Sequence, residues 1–390
     1  QSVSLHPMMG AYLTSIGNQK ADPRTGRVPD ENFGREVMQL MSIGLHQLNA
    51  DGSRQLAAGL PVDTYSPSDI SGMSKVFTGW SWACPAFPDK SCFLRGESNN
   101  RDDPNRDLKP MVAYPQYHSA EAKTFLGTTI PAQTNAAESL RIALDRLAAH
   151  PNVGPFIGRQ LIQRFTTSNP SPAYVAAVAR AFANNGSGVR GDMKAVLRAI
   201  LLDPEARSAT GDSYGKLREP VVRYVSMIRA LNPQSDDGTF YNGGYVVQEL
   251  ARQHPLSSPS VFNFFLPTFS PAGPLAEAGL VAPEFQITTS TGIVGTSNLI
   301  DFAILGEFVT DVGPPFPTVR LDYAEWESVA PDLDRLLDRL DVLFLAGELS
   351  TGTRAAIRDV LADIADPAIR ARMGLYLILI SPDYAIEGST

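Results

Sequence analysis

Long apolar runs, cysteine and clustered positive charge are all scarce in this chain of 390 residues. The longest uninterrupted apolar run covers only 375–380, far short of the roughly 18 residues that a membrane-spanning helix needs. Lysine and arginine number 33 against 41 acidic residues, which leaves a formal net charge of −8. An acidic chain without a basic run is a poor candidate for general nucleic-acid binding, which depends on neutralising phosphates. The first residues do not have the pattern of a signal peptide.

The remaining composition predicts a soluble globular protein, since 43% of the residues are hydrophobic and 19% are charged. Such a chain can bury a sizeable core and is not disordered. With 31 glycines and 30 prolines, we also expect long ordered loops between short elements.

The only two cysteines, Cys84 and Cys92, lie eight positions apart in a segment with two prolines. This spacing allows a disulfide that closes a small ring and stabilises the fold by about 2–3 kcal/mol; two unlinked thiols are the alternative. No second cysteine pair or His-x-x-x-His follows at ligand spacing, so a zinc site is not predicted. A disulfide would indicate an oxidising compartment, which means the periplasm, the cell surface or the medium.

Helical periodicity dominates the sequence, and strand alternation is scarce. Apolar residues at helical spacing predict an amphipathic helix from Phe33 to about His46, and a second apolar stripe predicts another from Ile70 to Trp80. Asn135 begins a pattern that resembles a capping box at the start of a third helix. Further helical segments are predicted at 153–165, 172–185, 192–202, 215–231, 244–253 and 330–380.

These patterns predict a mainly α fold, a single large irregular helical domain that covers residues 1–390 and carries long loops rich in proline and glycine. Neither an internal repeat nor a clear linker divides the chain. Two predicted loops, 84–118 and 255–285, are too long to be simple connections. We expect both to stay ordered and to cover a site or a partner surface.

Six motifs follow one another along the chain. They are His-Pro-Met-Met-Gly-Ala-Tyr-Leu from residue 6, Pro-Asp-Glu-Asn-Phe-Gly-Arg-Glu-Val-Met-Gln-Leu from 29, Phe-Thr-Gly-Trp from 77, Tyr-His-Ser-Ala-Glu-Ala-Lys-Thr-Phe-Leu-Gly from 117, Ser-Val-Phe-Asn-Phe-Phe-Leu-Pro from 260 and Ala-Pro-Glu-Phe-Gln from 282. In this order and spacing they resemble the bacterial family catalogued as domain of unknown function 1800, over nearly the whole chain.

This resemblance implies an exported protein, often encoded beside another secreted protein, and it implies no established activity. Members of the family usually have a helical segment before the His-Pro motif, whereas this chain begins five residues ahead of it. The resemblance therefore implies that the missing N-terminal segment or another exported chain covers the apolar faces of the first helices.

The strongest cluster of candidate residues lies around the start of the first predicted helix. Asp30, Asn32 and Arg35 are candidate binding residues. Glu36 falls at the border of the apolar face, where a half-buried carboxylate with a raised pKa could act as a general acid or base. In the structural alternative Asp30 caps the helix and Arg35 pairs with Glu31 one turn before it.

His118, flanked by tyrosines near the end of the 84–118 loop, is the candidate partner of Glu36 in acid–base catalysis. Its structural alternative is a histidine that bonds to the backbone. Trp82, beside the cysteines, is a candidate binding platform for a sugar or peptide. A metal site at His6, Glu36 and His118 lacks the ligand spacing within one helix, so no metal ligand is predicted and no cofactor is identified.

Three functions from different classes remain open. The absence of a nucleophile elbow, a phosphate loop or a His-Glu-x-x-His motif favours an exported, non-catalytic binding or assembly protein of the cell envelope, which holds a partner chain through its long loops. The alternatives are a secreted hydrolase or lyase on an extracellular polymer, and a metal- or cofactor-binding accessory protein. An enzyme predicts that the candidate side chains converge on one open pocket, whereas a binding protein predicts exposed apolar surface along 84–118 or 255–285.

Overall fold

The computed structural model describes residues 1–208, 214–240, 244–306 and 319–388. Contacts group the chain into two compact units, of which the first comprises Gln1–Leu161 and Ser171–Ile200 and the second Ile162–Pro170 and Leu201–Thr390. Grouping by contacts does not test whether a unit folds independently, so the prediction of one domain stays a prediction.

The predicted fold class is wrong, because the structure is mixed α/β rather than mainly α. Helices make up 49% of the described residues and strands 9%. The strands form two-stranded antiparallel ladders: Leu56–Ala57 with Leu60–Pro61, Trp80–Ser81 with Val112–Ala113, Glu97–Ser98 with Arg101–Asp102, Lys123–Phe125 with Thr128–Ile130, Lys216–Leu217 with Ile386–Glu387, and Gln234–Ser235 with Val319–Arg320. Strands of two or three residues are too short to show the alternation by which a sequence reveals a strand.

Among the described residues, eight helices begin in the first unit. They are Pro7–Tyr12, Asn32–Gln39, Pro67–Val76, Lys90–Arg95, Ala136–Ala149, Val153–Phe165, Pro172–Ala183 and Met193–Leu201, with 3-10 turns at Val3–Leu5 and Pro115–Tyr117. The helix Ala136–Ala149 confirms the prediction from its N-cap, since the side chain of Asn135 accepts a hydrogen bond from the backbone N–H of Glu138.

The helices that begin in the second unit include those that enclose an apolar core around Trp326, Leu336 and Leu375. They are Pro204–Ser208, Pro220–Ala230, Gly244–Ala251, Pro274–Glu277, Ser290–Ile304, Ala324–Val329, Leu333–Leu340, Thr351–Ala362, Pro367–Ile380 and Pro382–Ala385, with a 3-10 turn at Pro283–Gln286 and a π-helical turn at Asp341–Leu345. No helix within the described ranges is long and apolar enough to span a membrane.

Two of the predicted helices end earlier than the apolar pattern suggested. The first stops at Gln39, before Gly44, which has a φ of +73° and packs against the ring of Phe156. The second stops at Val76, and Trp80 lies in a strand instead. Between them Gly79 has a φ of +79°, a conformation that a helix does not use and that glycine adopts without steric cost.

The helix Pro67–Val76 lies unusually close to the hairpin Lys123–Ile130. It begins with a capping box, in which Ser66 and Asp69 each bond to the backbone N–H of the other. At Gly72 the absence of a side chain lets the helix approach the carbonyl group of Thr124, which a Cβ atom would contact at 1.8 Å. This close packing fixes the position of the helix that forms one wall of the candidate site.

Candidate functional site

A cavity of about 270 Å³ opens on the first unit between the helices Asn32–Gln39 and Pro67–Val76. Arg35 and Gln39 project into it from the first helix, one turn apart. The second wall comes from the other helix and from the chain that leads into it, with Asp63, Tyr65 and Ile70 among the lining residues. The Tyr65 hydroxyl donates a hydrogen bond to Oε1 of Gln39 at 3.0 Å and so connects the two walls.

Glu36 follows Arg35 on the same helix but is not among the residues that line the cavity. Its side chain is buried, with 7% exposure, and its Oε2 atom has no hydrogen-bond partner among the described residues. Burial raises the pKa of Glu36, while the neighbouring Arg35 opposes that rise. Burial raises the pKa of Tyr65, and the negative charge of Glu36 raises it further.

The other predicted binding residues around this helix, Asp30, Asn32 and Arg35, form hydrogen bonds or ion pairs within the fold. Arg35 forms the predicted ion pair with Glu31, at 3.6 Å. The N-cap residue is Glu31 rather than Asp30, but the Asp30 carboxylate accepts a hydrogen bond from the backbone N–H of Asn32 at 2.8 Å. Asn18 bonds to both backbone groups of Asp30. Arg35 lines the cavity. Asp30 and Asn32 instead take part in the hydrogen bonds that fix the chain at the start of the helix.

His118 is buried in the first unit and is held by the backbone. Its Nδ1 lies 2.8 Å from the carbonyl oxygen of Thr78, and its Nε2 lies 3.4 Å from the hydroxyl of the fully buried Ser139. Burial lowers the pKa of His118, which favours the neutral ring. No hydrogen bond or ion pair within the described ranges joins His118 to Glu36, so the proposed acid–base pair is not assembled by direct contact.

The predicted disulfide between Cys84 and Cys92 is present, with the Cα atoms 5.9 Å apart. Beside it the ring of Phe93 stacks on that of Tyr117, at 3.9 Å between centroids. Trp82, the predicted platform, donates its indole N–H to Asp107 at 3.1 Å, and the guanidinium of Arg106 lies 5.7 Å from the ring centroid. The 84–118 segment thus forms a small core around the disulfide and the rings of Phe93, Tyr114 and Tyr117, and Trp82, which precedes it, already has partners.

Sequence reasoning missed a buried network of charges in the second unit. Lys216 and Glu284 form an ion pair at 3.5 Å between almost fully buried side chains. The Lys216 ammonium also donates to the carbonyl oxygen of Arg164 at 2.8 Å, and the guanidinium of Arg164 binds Glu219 at 2.8 Å. Gln253 completes the network through a hydrogen bond to Glu219. Burial raises the pKa of Glu284, with Lys216 acting in the opposite direction.

Residues of two of the six motifs contact this network. These motifs are the signal in the sequence that could have revealed it. Glu284 belongs to the Ala-Pro-Glu-Phe-Gln motif, and the ring of Phe265, in the Ser-Val-Phe-Asn-Phe-Phe-Leu-Pro motif, lies 4.4 Å below the guanidinium of Arg164. The side chain of Gln163 also bonds to the carbonyl oxygen of Pro267 at 3.1 Å.

The same segment presents large apolar side chains at the surface. Leu256, Phe262, Leu266 and Phe285 are all exposed, and Leu256 is fully so. Their backbone is held in place at several points: the N–H of Leu266 donates to Gln286 at 2.8 Å, and Asn169 makes two hydrogen bonds with Val281. The 255–285 segment therefore combines an anchored backbone with exposed apolar side chains.

No group of three or more histidine, cysteine or acidic side chains within the described ranges is placed to hold a metal ion.

A family model described as "Protein of unknown function (DUF1800)" matches residues 1–386. The chain therefore belongs to this family, as its six motifs indicated. Neither a curated protein nor a solved structure matches the chain. Family membership brings no activity with it, so the function has to be argued from the geometry of this molecule.

Proposed function

We propose that this protein is an exported, non-catalytic binding or assembly protein of the cell envelope, and that it contacts a partner chain through its long loops. The exposed apolar side chains of the 255–285 segment carry this proposal. Single exposed apolar residues are ordinary, but a contiguous group of them is typical of an interaction surface. Phe262 and Leu266 lie four residues apart in sequence, and the backbone N–H of Leu266 donates to the side chain of Gln286, the residue after Phe285.

The anchoring of this segment adds to its suitability as a docking surface. Binding is weakened when loops must be ordered in the process, so a surface that is already held in place loses less conformational entropy. The hydrogen bonds from Gln163 and Asn169 supply that ordering before any partner arrives.

Export is supported by the bond between Cys84 and Cys92, because disulfides persist mainly in oxidising compartments such as the periplasm and the cell exterior. The partner that we propose is another exported chain. The polymer hydrolase is not our proposal, since Glu36 and His118 are buried, no hydrogen bond or ion pair among the described residues joins them, and Trp82 is already paired.

The experiment is native mass spectrometry of the chain purified from its own source after mild crosslinking, compared with variants of the surface. We expect a stoichiometric complex with one partner, which is lost on replacing Phe262 and Phe285 with serine. Val342→Ser and Ile369→Ser alter exposed apolar side chains elsewhere in the second unit and serve as matched controls.

Thermal unfolding of all variants separates loss of binding from loss of fold. A monomeric wild-type chain, or equal loss of the partner in the surface and control variants, would refute the proposal.

A further inference from the structure

The cavity on the first unit contains two opposite charges that do not neutralise each other. Arg35 and Asp63 both line it; Arg35 forms an ion pair with Glu31 at 3.6 Å, and a carboxylate oxygen of Asp63 lies 3.3 Å from Nδ1 of His46. The carboxylate of Asp63 is mostly exposed, as is about half of the Arg35 side chain. Exposed pairs at these distances contribute little energy, so both charges are available to a ligand at a small cost.

Apolar atoms lie between these charges. Leu45, Pro67 and Ile70 supply aliphatic surface to the lining. Leu45 is half exposed, so part of its apolar surface is free to pack against a ligand. Small-molecule sites in proteins typically combine such an apolar lining with a few polar groups in fixed positions.

We propose that this cavity binds a small zwitterion of the α-amino-acid class that has an apolar side chain. The guanidinium of Arg35 receives the ligand carboxylate, because its fork of N–H donors matches the two carboxylate oxygens. Asp63 receives the ammonium group, and the ligand side chain lies on Leu45 and Ile70. This site is separate from the proposed partner surface and does not depend on it.

Size and net charge agree with this ligand. The volume of about 270 Å³ is just below the range of roughly 300–1,000 Å³ that holds drug-sized molecules, so a ligand with few heavy atoms fits best. The formal charges of Arg35 and Asp63 sum to zero, which matches a zwitterion better than an anion or a cation. Tyr65 and Gln39 are hydrogen-bonded to each other at 3.0 Å and so offer a fixed polar edge.

The test is calorimetric titration of the full chain with L-leucine and two analogues that each lack one charge. L-Leucinamide lacks the carboxylate and isocaproate lacks the ammonium group. We expect leucine to bind in the millimolar range or tighter, and each analogue to bind at least about tenfold more weakly, since a hydrogen-bonded charge contributes about that factor or more.

Two variants test which cavity residue binds which charged group of the ligand. Arg35→Gln should weaken leucine at least about tenfold and leave leucinamide unchanged, whereas Asp63→Asn should weaken leucine and leave isocaproate unchanged. Both side chains are exposed, so the variants are expected to fold. Arg101→Gln and Asp359→Asn remove exposed charges outside the cavity lining and are the matched controls.

Absence of leucine binding at millimolar concentration would overturn the proposal. So would equal affinity for all three compounds, or unchanged leucine affinity in both cavity variants. These outcomes bear on the cavity alone, because the partner surface is tested by complex formation and by other substitutions.

Discussion

Replacement of Gly72 with alanine should force the helix Pro67–Val76 away from the hairpin on which it packs. A Cβ atom at this position would lie 1.8 Å from the carbonyl oxygen of Thr124 and 2.7 Å from its carbonyl carbon. Real Cβ contacts essentially never fall under 3.0 Å, so the two segments must separate by about 1.2 Å. Both contacts are with backbone atoms, and no change of rotamer can relieve them.

The expected loss follows from two opposing effects. Alanine stabilises a helix interior by about 0.5–1 kcal/mol relative to glycine. An extra methylene forced into a packed interior costs about 1–3 kcal/mol, and a rigid backbone obstacle places this site at the upper end of that range. The displaced helix would also loosen the buried contacts of Ile70 and Met73. We therefore expect a net loss of at least about 2 kcal/mol in the free energy of unfolding.

Urea unfolding measures this loss, and hydrogen exchange over residues 67–76 shows whether it arises where the contact lies. Gly352→Ala is the matched control, because Gly352 also lies in a helix, Thr351–Ala362, and has open space around it. That variant should be neutral or more stable by up to about 1 kcal/mol. Equal stability of the two variants would show that the close approach to Thr124 does not constrain the fold.

Three further substitutions test other features. Burial raises the folded-state pKa of Glu36 above 4.5, so the stabilising contribution of the protonated carboxyl is present below that pH and is lost as the pH rises through the folded pKa. Glu36→Gln should therefore gain stability relative to the wild type as the pH rises above 4.5, by about 1.4 kcal/mol for each tenfold increase in proton affinity that folding gives the carboxylate. A difference between the two proteins that stays constant with pH in urea titrations would contradict this. Replacing Cys84 and Cys92 with alanine should lower the unfolding free energy by about 2–3 kcal/mol, and a reducing agent should destabilise only the wild type. Glu284→Ala should lower the free energy of unfolding by about 3–5 kcal/mol, because it leaves the Lys216 ammonium buried without its carboxylate. Adding Lys216→Met to that variant should recover part of the loss. If the losses of the two single variants simply add in the double variant, the pair is not coupled.

Local signals in the sequence were sufficient for some elements and not for others. Asn135 and the apolar spacing after it predicted the helix Ala136–Ala149, since a cap and a 3.6-residue period are both short-range properties. The strand Trp80–Ser81 was missed because its partner, Val112–Ala113, is distant in the sequence and neither strand is long enough to alternate.

The residues of the candidate site were likewise predicted only in part. The helical wheel placed Glu36 at the edge of the apolar face, and the residue is in fact buried. The cavity beside it was not predictable, because it forms only when the chain around Asp63 and Tyr65 packs against that helix. The pairing of Lys216 with Glu284 joins positions that share no local pattern, and only the motif around Glu284 indicated that the residue mattered.

The motifs themselves contain two kinds of residue, and the difference bears on function. Some residues join segments inside the fold: a Cβ atom on Gly79 would lie 2.7 Å from the backbone nitrogen of His118, and Phe265 packs under Arg164. Internal packing accounts for the presence of these residues without any activity.

Other motif residues have no such explanation. Phe262 precedes the buried Phe265 in one motif yet is itself exposed, and Phe285 is exposed beside the buried Glu284 in another. Arg35 likewise is exposed at the cavity, next to the tightly packed Gly34. Because the fold does not require large apolar or charged side chains at these exposed positions, an external molecule is the simplest physical reason for them. The outward-facing motif residues are therefore where mutagenesis should begin, at the partner surface for the two phenylalanines and at the ligand cavity for the arginine.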